Sequence, residues 1–455
     1  MRDSDDEQAM CVFAAAFAND DDDDVASAML AAEHHLRLLD HMIGDFDARR
    51  GGSLPGKAPN KQQRNFASGE RGLLRDYFGV DGDPSVYDEK DFARRFRLFR
   101  IVFYRVYRDF LSEPYFQQRL NATGEPQAST LQKLTAALRV LAFGVAYDSV
   151  DEYVRFSESA VSETVDRFSR FVVDKYQPVY LRKPTLSDLQ RVLSDYENAG
   201  FRGCMGCVNC SHWVWKNCPM SLHGQYQGKS MKKAIVMETA ADTDLYHWHV
   251  YIGLPGAMND VNVMAVSPLF QSLLSGSFPP PISYTVSGVE RTLPYYLCDG
   301  IYPEHPVLIN ACKGDSEEDK YFAGKQEGRR KDAESVYGVL YQEWQVLDRP
   351  ARFHSVQTLV EVGTCCAILH NMIVTHRCKE AHARFRYVPA HARRLLLFFV
   401  CLMARCDSMS SRSILLILTV APTCAYHRGG HSTFFTPLTS ALVFYLLRAV
   451  RSTEP

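Results

Sequence analysis

The feature that most restricts the fold is the stretch over residues 203–219, Gly-Cys-Met-Gly-Cys-Val-Asn-Cys-Ser-His-Trp-Val-Trp-Lys-Asn-Cys-Pro. It reads as a buried strand leaving a glycine turn. Residues 233–241 and 245–253, joined by Asp242-Thr-Asp, read as the two strands of a hairpin. The apolar run Leu293-Pro-Tyr-Tyr-Leu-Cys ends in Asp299, and Gly300 lets the backbone turn there, leaving the carboxylate at the strand's C-terminal end. A helix is expected over residues 316–344, with Glu327, Lys331, Glu334 and Gly338 on one stripe and Val336, Val339, Leu340 and Trp344 free to face a core. Gly338 costs such a helix roughly 1 kcal/mol against Ala, which suggests a close approach to the sheet. A last helix is expected over residues 356–374. Strand, hairpin, strand and helix in this order predict an α/β domain, a mixed sheet flanked by helices, over residues 185–375.

The segment before it reads as all-α, over residues 91–176. Residues 91–111 give a helix with an apolar stripe of Phe92, Phe96, Phe99, Phe103, Val106 and Phe110. Arg94, Arg95, Arg97 and Arg100, with Arg105 and Arg108, fill much of the rest. They could track DNA phosphates or form a solvated face paired with Asp88, Glu89 and Asp91. Three further helical segments follow between residues 129 and 176, with Gly144 ending the first, Asp148 placed to cap the second and Ser157 the third. That is a helix-turn-helix-like outline. As a base reader it is poor, because Glu158, Glu163 and Asp166 would face phosphates and only Arg167 and Arg170 would help.

The stretch 203–219 has further likenesses in Tyr296-Leu-Cys-Asp-Gly-Ile-Tyr-Pro and Gln326-Glu-Gly-Arg-Arg-Lys-Asp-Ala-Glu-Ser-Val-Tyr-Gly-Val-Leu. Together they resemble the PIF/Harbinger transposases, in the form often called plant transposon protein. The likeness runs over residues 51–374, through Pro55-Gly-Lys-Ala-Pro-Asn-Lys, Tyr87-Asp-Glu-Lys-Asp-Phe-Ala-Arg-Arg-Phe and Ile368-Leu-His-Asn-Met-Ile. It implies a DDE-type nuclease with an RNase H-like core, in which two Mg²⁺ or Mn²⁺ ions activate a nucleophile and hold the leaving oxygen of a DNA phosphodiester. Asp299 and Glu334 match the second and third acids of that family. Asn209 stands where the first is expected and brings no charge, so cleavage and strand transfer are expected to be lost or strongly reduced. The alternative is a non-catalytic DNA- or protein-binding protein on the same scaffold. Asp260 and His212 are accessory candidates near the site, although an Asp at that position more commonly caps a helix. The resemblance also implies a DNA partner, a Myb-like accessory protein and a nuclear location.

Charge and cysteines bound these readings. The 455 residues sum to −2, but residues 1–50 hold 4 Lys and Arg against 13 Asp and Glu, and residues 376–455 hold 11 against 3. The first of these reads as an acidic disordered tail, residues 51–90 as a linker or docking segment, and 376–455 as an atypical, poorly ordered extension. DNA binding must then come from local patches. Thirteen cysteines with no secretory leader point to reduced thiols in the nucleus or cytosol. Cys204, Cys207, Cys210 and Cys218 could suggest a thiolate metal site, but strand alternation would send Cys204 and Cys210 to one face and Cys207 to the other. No run reaches the roughly 18 apolar residues of a membrane span, and no membrane partner is expected.

Overall fold

The computed structural model describes residues 64–386, apart from 81–82, 121–123, 229, 259, 301, 303–304 and 312–313. The acidic tail and all but the first ten residues or so of the C-terminal extension lie outside them.

Six helices come first: α1 (Phe66–Tyr77), α2 (Glu89–Phe96), α3 (Arg100–Phe110), α4 (Thr130–Phe143), the single turn α5 (Asp151–Val154) and α6 (Glu158–Tyr180). α1 falls inside the stretch read as a linker, because Leu73, Leu74 and Tyr77 supply an apolar face that is buried. The single helix expected over residues 91–111 is two. Arg97 takes a left-handed conformation (φ 57°) and Phe99 is extended. The Glu89 carboxylate then accepts from the Arg100 backbone N–H at 3.1 Å and from its Nε at 2.8 Å. Folding the chain back there brings the ring of Phe103 to 5.0 Å from Phe96 and 5.3 Å from Phe92, aromatic contacts a straight helix could not make.

α4 is the axis of this region. Ser129 and Gln132 form a capping box at its start, Gly144 (φ 56°) ends it as expected, and its residues are buried nearly all round. Lys133 is among them. Its ammonium reaches the carbonyls of Tyr115, Phe116 and Gln117, and burial pulls its pKa down to about 8. Ser157 caps α6 as expected, but Asp148 does not cap a helix; it sits inside a 3-10 turn, Tyr147–Val150, that Ala146 precedes. The core is continuous from these helices into the sheet region: Leu134, Phe168 and Tyr176 share one buried cluster with Trp213, Trp215, Leu340 and Trp344.

The α/β part runs α7 (Leu186–Asn198), β1 (Cys204–Val214), α8 (His223–Tyr226), β2 (Ala234–Ala241), β3 (His247–Pro255), α9 (Asp260–Val266), α10 (Pro268–Leu274), β4 (Tyr284–Val286), β5 (Val289–Arg291), β6 (Tyr295–Leu297), β7 (Leu308–Ile309), α11 (Glu317–Glu343) and α12 (Val356–Arg386). β4 and β5 form a separate small hairpin. The other strands make one sheet in the order β3-β2-β1-β6-β7, with β2 antiparallel to β1 and β3, and with β6 parallel to β1 and β7. This is the mixed sheet flanked by helices that the sequence predicts, with the strand order of an RNase H-like core.

β1 carries an irregularity that sets its faces. Gly206 (φ 142°) lies between the two paired positions Cys204↔Tyr295 and Cys207↔Leu297, where the register shifts, and a Cβ there would stand 2.6 Å from the Ala241 carbonyl. The bulge corrects the simple alternation. Cys204 and Cys207 share one cluster with Leu297 and α7, whereas Cys210 packs on the opposite face beside Tyr302 and Cys218 belongs to a third cluster. The four thiols therefore do not converge. α7 and α11 cover the Cys207 face, since its thiol meets the Tyr196 hydroxyl at 3.3 Å and the Arg329 carbonyl at 3.5 Å. α10 covers the other, with Leu269 and Phe270 against Val208 and Ala240.

α12 also corrects the expectation on apolar length. Residues Val356–Lys379 are long and apolar enough to cross a membrane by length and composition, but 83% of the qualifying window is buried inside the protein, as in a core helix. The helix continues ten residues past the expected change of character at His376. His370 and Asn371 anchor it to β3: His370 lies 2.7 Å from the Glu343 carboxylate and 2.9 Å from the Leu245 carbonyl, and the Asn371 amide exchanges hydrogen bonds with the backbone of His247.

Candidate functional site

Asn209 lies at the middle of β1, opposite Thr239 of β2. Carrying the β1–β6 register on by two residues from Cys207↔Leu297 sets Asp299 beside Asn209. The chain keeps its strand-like course past Leu297, because the Cys298 N–H still donates to Ile309 of β7 at 3.2 Å. Cys298 faces the α10 side, so Asn209 and Asp299 share the face that α11 covers. Adjacent strands are roughly 4.8 Å apart, so this register makes the two positions neighbours across the strands.

α11 is laid across that face by polar anchors. The buried amide of Gln326 donates to the carbonyls of Cys298 (3.0 Å) and Ile309 (2.9 Å), tying the helix to β6 and β7. The Tyr337 hydroxyl stands 3.1 Å from the Asn209 carbonyl and 2.6 Å from that of Met237, and the Tyr341 hydroxyl donates to Ser211 at 2.6 Å. Glu334 precedes Tyr337 by three residues and so sits about one helical turn from the contact with Asn209. It is exposed, on the flank of the helix rather than under it, and Glu327, Lys331 and Gly338 share its exposed stripe. A Cβ on Gly338 would meet nothing within 4 Å, so the expected close approach to the sheet is absent at that residue.

Each candidate ligand already has a partner. Asn209 Oδ1 accepts the N–H of Cys210 at 2.9 Å, and an Asp299 oxygen accepts the N–H of Gly300. Glu334 is held by Arg330, one turn earlier, at 2.8 Å. Burial first, and then the Asp299 charge, push the Cys298 thiol up to about 12, while Arg330 pulls it down. Asp299 and Arg330 thus both lie within electrostatic range of one thiol. Arg330 is the residue the sequence reading passed over, although its four-residue spacing from Glu334 was a visible signal. Among the described residues, no group of three or more His, Cys, Asp and Glu side chains gathers as metal ligands.

The accessory candidates stand apart from this face. His212 is exposed and, three positions along β1 from Asn209, points to the opposite side of the sheet. Asp260 begins α9, and its side chain lies outside the description. His247 and His249 are strand histidines held within the fold: His247 Nδ1 lies 2.7 Å from the Thr239 hydroxyl, while its buried Nε2 has no hydrogen-bond partner, and His249 Nε2 lies 3.1 Å from buried Glu238.

Most of the arginines proposed to track DNA have partners within the protein. Arg94 pairs with Asp91 at 2.7 Å, Arg167 with Glu163 at 2.9 Å and Arg170 with Glu361 at 3.1 Å. Arg100 binds Glu89 and the Tyr77 carbonyl and lies 4.2 Å above the Phe92 ring. Arg97 lies over Phe143 at 5.5 Å, and Arg95 is half-buried beside Tyr77. Of the two roles the sequence left open for this region, intramolecular pairing is the one these contacts display.

Residues 178–381 match the family model described as plant transposon protein. The match begins where α6 ends, so the helices before it, which the sequence resemblance had included, lie outside it, and it extends seven residues past residue 374. No curated protein and no solved structure matches the chain.

Proposed function

We propose that this chain, whose residues 178–381 match the family model described as plant transposon protein, is a transposase-related DNA-binding protein on a nuclease scaffold whose phosphodiester-cleaving centre is disabled. What supports the reading is the β1–β6 register, which carried two residues past Cys207↔Leu297 sets Asn209 beside Asp299, together with the ion pair between Glu334 and Arg330.

Magnesium or manganese is the cation that the PIF/Harbinger resemblance implies, with Asn209, Asp299 and Glu334 as its holders. The donor set does not fit a pair of such ions. Hard divalent cations take charged oxygens, and here the first position offers an amide oxygen already bonded to its own strand. The third offers a carboxylate that a guanidinium has occupied. Two carboxylates and one adjacent Arg leave a net charge of −1 against two doubly charged ions. No cleavage step is therefore assigned to this chain, and what remains of the ancestral activity is DNA recognition.

The test is cleavage of DNA bearing terminal inverted repeats, with Mg²⁺ or Mn²⁺, by the unmodified protein, by Asn209→Asp and by Asn209→Asp combined with Arg330→Gln. The unmodified protein is expected to bind the DNA and leave it intact, and the double variant to nick it best. Efficient metal-dependent nicking by the unmodified protein would overturn the proposal.

A further inference from the structure

With most of the arginines of α2, α3 and α6 paired or stacked within the protein, a separate group of basic side chains stands at the end of β1. There the chain segment 349–354, which follows α11, is stitched to the strand. The Trp213 indole donates to the Arg349 carbonyl at 3.0 Å, the Trp215 indole to the Phe353 carbonyl at 2.7 Å and the Asn217 amide to the Arg352 carbonyl at 2.6 Å. Backbone bonds add to this: Ala351 N–H donates to Val214 at 2.8 Å and Lys216 N–H to Ala351 at 2.9 Å. A loop held by five bonds to a strand is rigid, so the side chains it turns outward are preorganised.

Those side chains are basic. Lys216, Arg349, Arg352 and His354 are exposed, and Lys232 and Lys233 adjoin them through the bond from Trp215 N–H to the Lys233 carbonyl. Among the described residues, Lys216, Lys232, Arg349 and Arg352 take part in no ion pair. Arg349, Arg352, His354 and Asn217 line a cavity of about 180 Å³ that also receives Tyr147 and Glu158 from the helical region. Glu158 and Asp348 are the acids nearby, so five Lys and Arg side chains face two carboxylates. Unpaired cations this dense are normally spread apart or neutralised by the chain itself, and their concentration on one rigid edge calls for an external polyanion.

We infer that this edge, Lys216 with Arg349 and Arg352 around the cavity, is a docking surface for the phosphate backbone of DNA. The inference rests on the DNA-binding reading above and names the surface that carries it out. Position 215 lies six residues along β1 from Asn209, roughly 20 Å at 3.3 Å per residue. A duplex repeats its phosphates every 3.4 Å per strand, so about six base pairs would span from the disabled centre to the basic edge, and one bound duplex could lie over both.

The experiment is a salt titration of DNA binding by the full chain, using a 30-base-pair duplex of arbitrary sequence and then one bearing terminal inverted repeats. Each phosphate contact contributes about 0.9 to the slope of log K against log salt, equivalent to roughly 5-fold in affinity at 0.15 M salt. The combined variant Lys216→Gln, Arg349→Gln and Arg352→Gln is expected to bind on the order of 100-fold more weakly there, with the slope reduced by about 2–3. Its stitching bonds are to backbone carbonyls and survive, and an unchanged melting temperature checks this. Arg94→Gln and Arg167→Gln are expected to leave affinity and slope as they were. If the unmodified protein binds DNA and the triple variant binds it equally, with an equal slope, the surface is wrongly assigned and the DNA-binding reading stands. An equal loss in the Arg94 and Arg167 variants would overturn the assignment as well. If the unmodified protein binds neither duplex, the DNA-binding reading itself fails and takes this surface with it.

Discussion

Replacing Asn209 by Asp without supplying a cation should weaken the fold, and supplying one should restore it. The two side chains occupy neighbouring positions on parallel strands, so a second carboxylate would stand roughly 5 Å from that of Asp299. Two unit charges at that distance repel by about 3 kcal/mol at an effective dielectric of 20. Both positions are only half-buried and Arg330 is close by, so solvent and the guanidinium reduce this to roughly 1–2 kcal/mol. For a domain of this size that is a fall of a few degrees in melting temperature in EDTA, at about 2–4 °C per kcal/mol. A divalent cation that binds only the folded variant then reverses it, contributing about 2.7 kcal/mol when present at 100 times its dissociation constant. The assay is thermal unfolding of both proteins in EDTA, in 10 mM MgCl₂ and in 1 mM MnCl₂. The unmodified protein should respond to the cations by less than about 1 °C. Two results would refute the reasoning: an Asn209→Asp variant as stable as the parent in EDTA, which would mean that the carboxylates are not neighbours, or a parent that gains as much from Mg²⁺ as the variant does, which would mean that an amide and a paired Glu334 suffice for the ion.

Two further outcomes test the description of the fold. Gly338→Ala should stabilise the protein by roughly 0.5–1 kcal/mol in urea unfolding, because the position is an exposed helix interior with open space around it; a loss of stability would mean that the helix does approach something there. His247 is fully buried, and burial first, then the neighbouring His370, hold its pKa well below 6.5. Its folded value lies below the unfolded one, so the unfolded chain takes up this proton first as the pH falls. The stabilisation is complete above about 6.5 and is lost as the pH drops toward the folded value, at up to about 1.4 kcal/mol per pH unit. Comparing urea unfolding at pH 7.5 and 5.5 for the parent and His247→Gln should show a shallower pH dependence in the variant, and equal slopes would contradict the assignment.

The elements that could be read in advance are those whose pattern is local. The β2–β3 hairpin, the α11 span and the Gly144 stop each announce themselves within a few residues. The misreadings come from backbone geometry that a side-chain pattern does not report. A phenylalanine stripe at helical spacing serves one helix or two helices folded on each other equally well, and only the left-handed turn at Arg97 distinguishes them. An even count along β1 predicts faces correctly until Gly206 inserts a bulge, after which Cys204 changes sides. For the same reason α12 looks like a membrane span in isolation: composition records how apolar a helix is, and only the tertiary fold says whether lipid or protein covers it.

The site divides along a similar line. The order strand, strand end, helix makes the elements that carry Asn209, Asp299 and Glu334 legible from sequence, whereas Glu334 itself stands exposed on the flank of α11. What each side chain is doing depends on its partners, and those are set by the fold. Arg170 finds Glu361 across 191 residues of sequence, and no local pattern announces that pair. A count of basic residues therefore overstates what is available to a polyanion, because it cannot subtract the cations the chain has already used. Once that subtraction is made, the helices richest in arginine drop out, and the basic edge beside Trp215, inconspicuous in sequence, is left with its charge unengaged. The same subtraction applied to the three candidate positions leaves Asp299, among the described residues, as the carboxylate with no ion pair, and the proposed loss of cleavage rests on that shortage of charge. Under the reading proposed above, recognition and catalysis separate on this scaffold: Lys216, Arg349 and Arg352 near the end of β1 carry the charge that would attract a DNA backbone, while Asn209 in the middle of the same strand lacks the charge that cleavage would need.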